Sequence, residues 1–189
     1  MQDLAEHIII IGGSAGALEI IDEVLASLPR QFSSSIVIVI HRSNKYKTYL
    51  EENLKEKYDL PIFSVYDKDP ILKGRVYFAP PGYHLIVETN RTFMLDIDDP
   101  VLFSRPAIDL TFSSAAEVFR ECCTAFLLSG ANQDGSEGTR QLLNNNSKVF
   151  IQDPKEAKVS TMPESAIKKH KNLQLLGDRE IVEYFSKLQ

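Results

Sequence analysis

Three residues of this 189-residue chain stand just past apolar runs and have side chains able to drive a reaction: Ser14, His41 and Asp134. A serine hydroxyl is a weak nucleophile until an imidazole takes its proton, and a carboxylate must then hold the imidazole's tautomer and stabilise its cation. Together the three types could carry acyl transfer. Ser14 lies in Gly12-Gly13-Ser14-Ala15-Gly16, which satisfies G-x-S-x-G, a pattern whose glycines permit the sharp strand-to-helix turn that lifts a serine into solvent. Backbone N–H groups at the following helix start, that of Ala15 among them, could meet a developing oxyanion. The chain order Ser, His, Asp differs from the Ser, Asp, His order of α/β-hydrolases, so the motif alone does not assign that fold.

Each part also has a plainer reading. A glycine-rich turn after a first strand could bind a dinucleotide phosphate. Against this, G-x-G-x-x-G is not met, and the second strand ends in His41 where an Asp or Glu would hold the ribose. A histidine at a strand end is often only a structural hydrogen-bonder, Asp134 could cap a helix starting near Ser136, and Asp153 is a rival carboxylate. His84 reads as structural, with substrate contact as its alternative, while His7 and His170 have no supporting context. Arg42, Lys45 and Lys47 concentrate positive charge beside His41, which fits either a solvated loop or attraction of an acidic protein surface.

The hydrophobic pattern predicts the elements that must position these residues. Ile8 to Ile11 reads as a strand running into the glycine turn, and Leu18 to Leu28 recurs at helical spacing up to Pro29. Ile36 to Ile40 is apolar at every position, as a strand covered on both faces must be. A helix over Tyr46 to Tyr58 and a short strand over Pro61 to Val65 continue the rhythm. Between about 76 and 96 the pattern changes and predicts an inserted antiparallel hairpin. A helix begins near Pro106, followed by a strand at Thr124 to Leu128, a glycine-rich loop from Ser129 to Gly138, a helix at Thr139 to Leu143 and a strand at Val149 to Ile151. Alternating segments then run to Leu188. The economical architecture is one α/β domain over residues 1–189, doubly wound around a mainly parallel sheet flanked by helices on both faces. In such a sheet, residues following successive strands gather along one edge, where ligands bind.

Composition narrows the function classes. With 43% hydrophobic and 25% charged residues the chain is globular, and its longest apolar runs fall far short of the roughly 20 residues that cross a bilayer. The acidic start, Met1 to Glu6, lacks the basic region of a secretory signal, so a cytoplasmic location is expected. A net charge of −5 supplies no nucleic-acid footprint. The only two cysteines, Cys122 and Cys123, are adjacent, and no spaced Cys/His set suggests a metal.

Several separated blocks carry a resemblance: Ile11 to Gly16, the strand ending in His41, Ala79-Pro80-Pro81-Gly82-Tyr83-His84-Leu85, Arg105-Pro106-Ala107-Ile108-Asp109, Leu128 to Gly135, and Gln152-Asp153-Pro154 leading to Met162-Pro163. From about Ile8 to Leu176 the chain resembles the catalytic domain of the chemotaxis-receptor methylesterases, the CheB family. The resemblance implies Ser14 as nucleophile, His41 as base, Asp134 as the third member and the backbone of Ala131 as a second oxyanion donor. Arg42 and Arg105 are the candidate substrate contacts. It further implies hydrolysis of glutamyl methyl esters, and in some members deamidation of glutamine, on the cytoplasmic helices of chemoreceptors, with no cofactor and no metal. Members commonly carry a preceding receiver domain; this chain begins almost at the first catalytic strand, so control by such a domain is expected to be absent. Where the family loop reads Thr-Gly-Met-Gly-x-Asp-Gly, this chain has Ser129-Gly130-Ala131-Asn132-Gln133-Asp134-Gly135. A binding or scaffold module with weakened turnover is therefore the alternative, and nucleotide binding at the Gly12 turn a third.

Overall fold

The structure is a computed structural model that describes residues 3–43, 45 and 49–189. Among the described residues nine strands and six α-helices follow in order: β1 (Ile8–Gly13), α1 (Ala17–Ser27), β2 (Ser35–Ile40), α2 (Leu50–Tyr58), β3 (Ile62–Ser64), β4 (Val76–Phe78), β5 (His84–Val87), β6 (Phe93–Asp96), α3 (Ile108–Phe119), β7 (Cys123–Leu127), α4 (Ser136–Asn144), β8 (Lys148–Gln152), α5 (Thr161–Lys169), β9 (Gln174–Leu176) and α6 (Asp178–Ser186). Seven strands form one sheet in the order β3-β4-β2-β1-β7-β8-β9, and every pair in it is parallel.

Burial on both faces explains the unbroken apolar runs. Ile8 and Ile10 point into a core shared with Val37, Ile108, Phe112 and Leu127, whereas Ile9 and Ile11 point the other way, toward Ile21, Val24, Phe126 and Phe185. Helices therefore cover both sides of the sheet, as the pattern predicted. The chain winds from β1 toward β3 on one side and, after the hairpin, from β7 toward β9 on the other. The switch point lies between β1 and β7, where open sheets of this kind bind ligands beyond the strand ends. Ser14 follows β1 and the Ser129–Asp134 loop follows β7, so both flank that crevice.

The structure moves three predicted boundaries. Val76–Phe78 is not an arm of the hairpin but a parallel strand of the main sheet, between β3 and β2; only β5 and β6 form the antiparallel pair, as a separate two-stranded sheet. Three consecutive buried residues show no period, so their partner is decided by long-range pairing. The second helix begins at Leu50, and Tyr46, Lys47 and Thr48 of its predicted first turn lie outside the described residues. Helix α4 begins at Ser136, three residues before its apolar pattern, because Gly135 at φ 90 turns the chain into it. A Cβ at Gly135 would meet Leu127 Cδ1 at 2.4 Å in a left-handed conformation that glycine adopts freely. Among the described residues no helix is long and apolar enough to cross a membrane.

Candidate active site

The turn after β1 and the loop after β7 are stapled together. The Ser14 amide donates to Ser129 O at 2.8 Å, and Ser129 Oγ donates to Ala15 O at 2.7 Å while accepting from the Val159 amide at 2.9 Å. Gln152 Oε1 in turn accepts from the Ser129 amide at 2.7 Å. Gly16 then enters α1 at φ 85, where a side chain would strike Lys158 Cβ. Ser14 is left half-buried, with the Ala15 amide beside it, and among the described residues neither the Ala15 nor the Ala131 N–H has a protein acceptor. Both amides are available to a bound oxyanion.

Asp134 is fully buried yet has four donors. Its Oδ2 accepts from His41 Nε2 at 2.8 Å and from the Ile108 amide at 2.7 Å, and its Oδ1 from the Asp109 amide and the Gly135 amide, each at 2.9 Å. Ile108 and Asp109 are the first residues of α3, whose preceding residue, Ala107, offers no side-chain cap. Asp134 thus caps α3 from a distant loop and receives the positive end of that helix dipole. Burial alone would push its carboxyl up, but the bonds from His41 and from the Asp109 and Ile108 amides outweigh it and hold Asp134 below the usual carboxylate range. An ionised Asp134 requires the His41 proton on Nε2, which leaves Nδ1 as the acceptor and base nitrogen.

Nδ1 lies 3.1 Å from Ser104 Oγ. The relay expected from Ser14 through His41 to Asp134 is therefore only partly joined: His41 and Asp134 are bonded, whereas Ser14 Oγ hydrogen-bonds to no described residue. Proximity is nonetheless built in, because the His41 amide donates to Gly13 O at 3.2 Å and Ser14 and His41 line one cleft of about 610 Å³ with Ala15, Leu18 and Tyr49. A second cleft of about 360 Å³ also reaches His41 and is lined by Arg42, Gly82, Phe103, Ser104 and Arg105.

The other candidates separate by their partners. Arg42 forks onto both carboxylate oxygens of Glu51 and reaches Ala79 O, so its charge is already neutralised within the fold. Arg105 Nη1 bonds only to the carbonyls of Ile97 and Asp98, at 2.6 and 2.8 Å. His84 is fully buried, faces Asp99 O through Nε2 and accepts the Ala107 amide on Nδ1, which steadies the start of α3. Asp153, the rival carboxylate, accepts from the Lys155 amide in its own turn. His7 meets Thr124 Oγ1 and His170 meets Ser136 O. Among the described residues no group of His, Cys, Asp and Glu side chains could hold a metal ion.

Three contributors escaped sequence reasoning. Ser104 sits in a turn without motif, Ser129 reads as an ordinary loop serine, and Asp109 looks like a first-turn helix acid. Asp109 and Ser129 left a signal only as members of the Arg105–Asp109 and Leu128–Gly135 blocks; Ser104 left none. Burial pushes its carboxyl up to about 6; a bond from the Gly138 amide partly opposes this and the neighbouring Asp134 charge reinforces it.

Comparison with known proteins points to one family and one fold. A family model described as CheB methylesterase matches residues 9–185. A Leptospira interrogans protein, provisionally named protein-glutamate methylesterase/protein-glutamine glutaminase, is 37% identical over 180 residues, covering 95% of this chain and 93% of that protein. A Nitrosospira multiformis protein-glutamate methylesterase/protein-glutamine glutaminase is 32% identical over 86% of this chain and 46% of its own length. The crystal structure of the Thermotoga maritima CheB methylesterase catalytic domain superposes with a TM-score of 0.88 at 28% identity, covering 96% of this chain and 97% of that one.

Proposed function

The chain belongs to the CheB methylesterase family, and we propose on that premise that it hydrolyses γ-methyl esters of protein glutamate through an acyl-serine at Ser14. The observation that carries the reading is the pairing of His41 Nε2 with a buried, four-donor Asp134 at 2.8 Å, beside the only G-x-S-x-G serine of the chain. Such a carboxylate fixes the tautomer and stabilises the imidazolium that forms when Nδ1 takes a proton.

In the proposed reaction Ser14 Oγ attacks the ester carbonyl carbon and passes its proton to His41 Nδ1. The carbonyl oxygen, now an anion, receives the free amides of Ala15 and Ala131. Collapse expels methoxide, which leaves as methanol with the proton from Nδ1. Water then attacks the acyl-serine with His41 as base, releasing the glutamate carboxylate and restoring Ser14. The steps consume one water and yield one methanol. A glutamine side chain could enter by the same route with ammonia as leaving group, in keeping with the second activity in the relatives' names. The partner we propose is the methylated cytoplasmic helices of a chemoreceptor or a similar signalling protein, met in the cytoplasm.

Stoichiometric labelling of Ser14 by a serine-directed phosphonate, together with methanol release from a γ-methylglutamyl peptide, tests the reading. Folded protein that neither labels nor releases methanol would instead be the binding module.

A further inference from the structure

We propose that the turn Val101–Ser104 is a docking latch: in the free protein it holds the base nitrogen of His41, and a partner protein that lays an apolar stripe on Phe103 releases it. The proposal rests on the reading of His41 as the base for Ser14. Val101 and Ser104 pair through both backbone bonds, at 3.1 and 2.9 Å, around Leu102 at φ 48 and Phe103 at φ 64. Two consecutive left-handed residues make the tight turn that favours Asn-Gly, and bulky L residues there store strain, as switch and binding segments do.

The strained turn carries three things at once. Phe103 is fully exposed at its tip, which no packing requirement explains. Ser104 Oγ, the next residue's hydroxyl, donates to His41 Nδ1 at 3.1 Å and so occupies the lone pair that Ser14 needs. The turn is tied down by long bonds from Asn132 Nδ2, at 3.4 Å to Leu102 O and 3.3 Å to Ser104 Oγ. Weak ties, stored strain and an exposed aromatic handle describe an element that leaves its position when pulled.

The chemistry of the partner follows from what surrounds the handle. Tyr83 and Ile97 are also exposed, and their segments converge on Arg105: the Gly82 amide donates to Arg105 O at 3.1 Å, and Arg105 Nη1 donates to Ile97 O at 2.6 Å. Arg105 itself has no carboxylate partner among the described residues, and its Nε is buried without an acceptor beside the cleft. The complementary surface is a helix whose apolar stripe covers Phe103 and whose acidic side chain reaches Arg105, next to the glutamyl group under attack. An exposed aromatic that a partner can bury is a typical anchor for such contacts.

Two measurements on the full chain test the latch. With a small alkyl fluorophosphonate as probe, Ser104→Ala should phosphonylate Ser14 about fivefold faster than the unchanged protein, the gain expected from removing one ordinary hydrogen bond, and Ser104→Thr should restore the slower rate. Equal or slower labelling in a folded Ser104→Ala protein overturns the latch, the slower result meaning that Ser104 holds His41 in its working orientation. Failure of Ser14 to label in any of these proteins instead overturns the esterase reading. For the docking role, kcat/KM is compared on N-acetylglutamate γ-methyl ester and on an amphipathic helical peptide with γ-methylglutamate beside a leucine stripe. Phe103→Ser should depress the peptide reaction about tenfold more than the small-ester reaction; equal losses overturn the docking role.

Discussion

The carboxyl groups of Asp134 and Asp109 meet at the start of α3 and are shifted in opposite directions, Asp134 toward the ionised form and Asp109 toward the protonated one. The Asp109 amide donates to Asp134 Oδ1 at 2.9 Å, while the Asp109 side chain accepts from the Gly138 amide at 2.7 Å. Asp134 is held below the usual carboxylate range by His41 and the helix amides, and Asp109 is pushed up to about 6 by burial and by the Asp134 charge. The Asp134 charge, fixed by its donors, is one of the causes that raise its neighbour, beside the larger effect of burial.

This pair predicts a pH signature of stability. Between 3.8 and about 6 the folded Asp109 binds more protons than the unfolded one, so its contribution is present at the lower pH and is lost as pH rises through about 6. Asp134 has the opposite sign: its contribution is present above 3.8 and is lost as pH falls through its depressed folded value. Asp109→Asn keeps the acceptor for Gly138 but cannot ionise. Urea midpoints measured across this window should decline with pH less steeply in the variant than in the parent; identical slopes would remove Asp109 from the account.

Ser14→Ala should leave the fold intact, because Ser14 Oγ bonds to no described residue, with stability within about 0.5 kcal/mol of the parent. Turnover should fall by about 10⁶ if the triad acts as a unit. Methanol release by gas chromatography checks it, and undiminished release from the variant would refute Ser14 as nucleophile.

Ser129→Ala tests the staple between the two turns. Its hydroxyl serves the Ala15 carbonyl and the Val159 amide, so truncation should cost about 1–3 kcal/mol in unfolding free energy. The Ala15 amide would also lose its fixed aim at the oxyanion, and kcat should drop about tenfold with little change in KM. A KM effect alone would point to ground-state binding instead.

Arg42 should prove a scaffold residue. The Arg42 and Glu51 side chains are each 10% exposed, so Arg42→Ala strands a buried carboxylate and should destabilise the protein by about 3 kcal/mol. Removing both charges in an Arg42→Met, Glu51→Leu double variant should recover most of that loss in thermal melts. Full recovery of stability together with a raised KM for an acidic peptide would return Arg42 to the substrate side.

Much of the fold was legible because strands buried on both faces must be apolar at every position, as Ile8 to Ile11 and Ile36 to Ile40 are. The place of β4 was not: Val76–Phe78 is too short to show a period, and its neighbours β2 and β3 come from distant sequence. The candidate site was legible in the same measure. Ser14, His41 and Asp134 stand after strands of a parallel sheet, so their gathering at one edge follows from topology. Ser104, Ser129 and Asp109 act through contacts made far from their own sequence neighbours, so block membership could mark Ser129 and Asp109 but not the contacts they make, and nothing local marks Ser104.

What residue order alone determined is the set of groups that can do chemistry and the edge on which they collect, since side-chain type and strand periodicity are local properties. Which nitrogen of His41 faces which partner was decided only by the folded chain. That choice depends on Asp134, which arrives from 93 residues away to take Nε2, and on Ser104, 63 residues away, whose hydroxyl rests on Nδ1. A hydrogen bond forms or fails over a few tenths of an ångström, a scale that long-range packing sets and local sequence pattern does not.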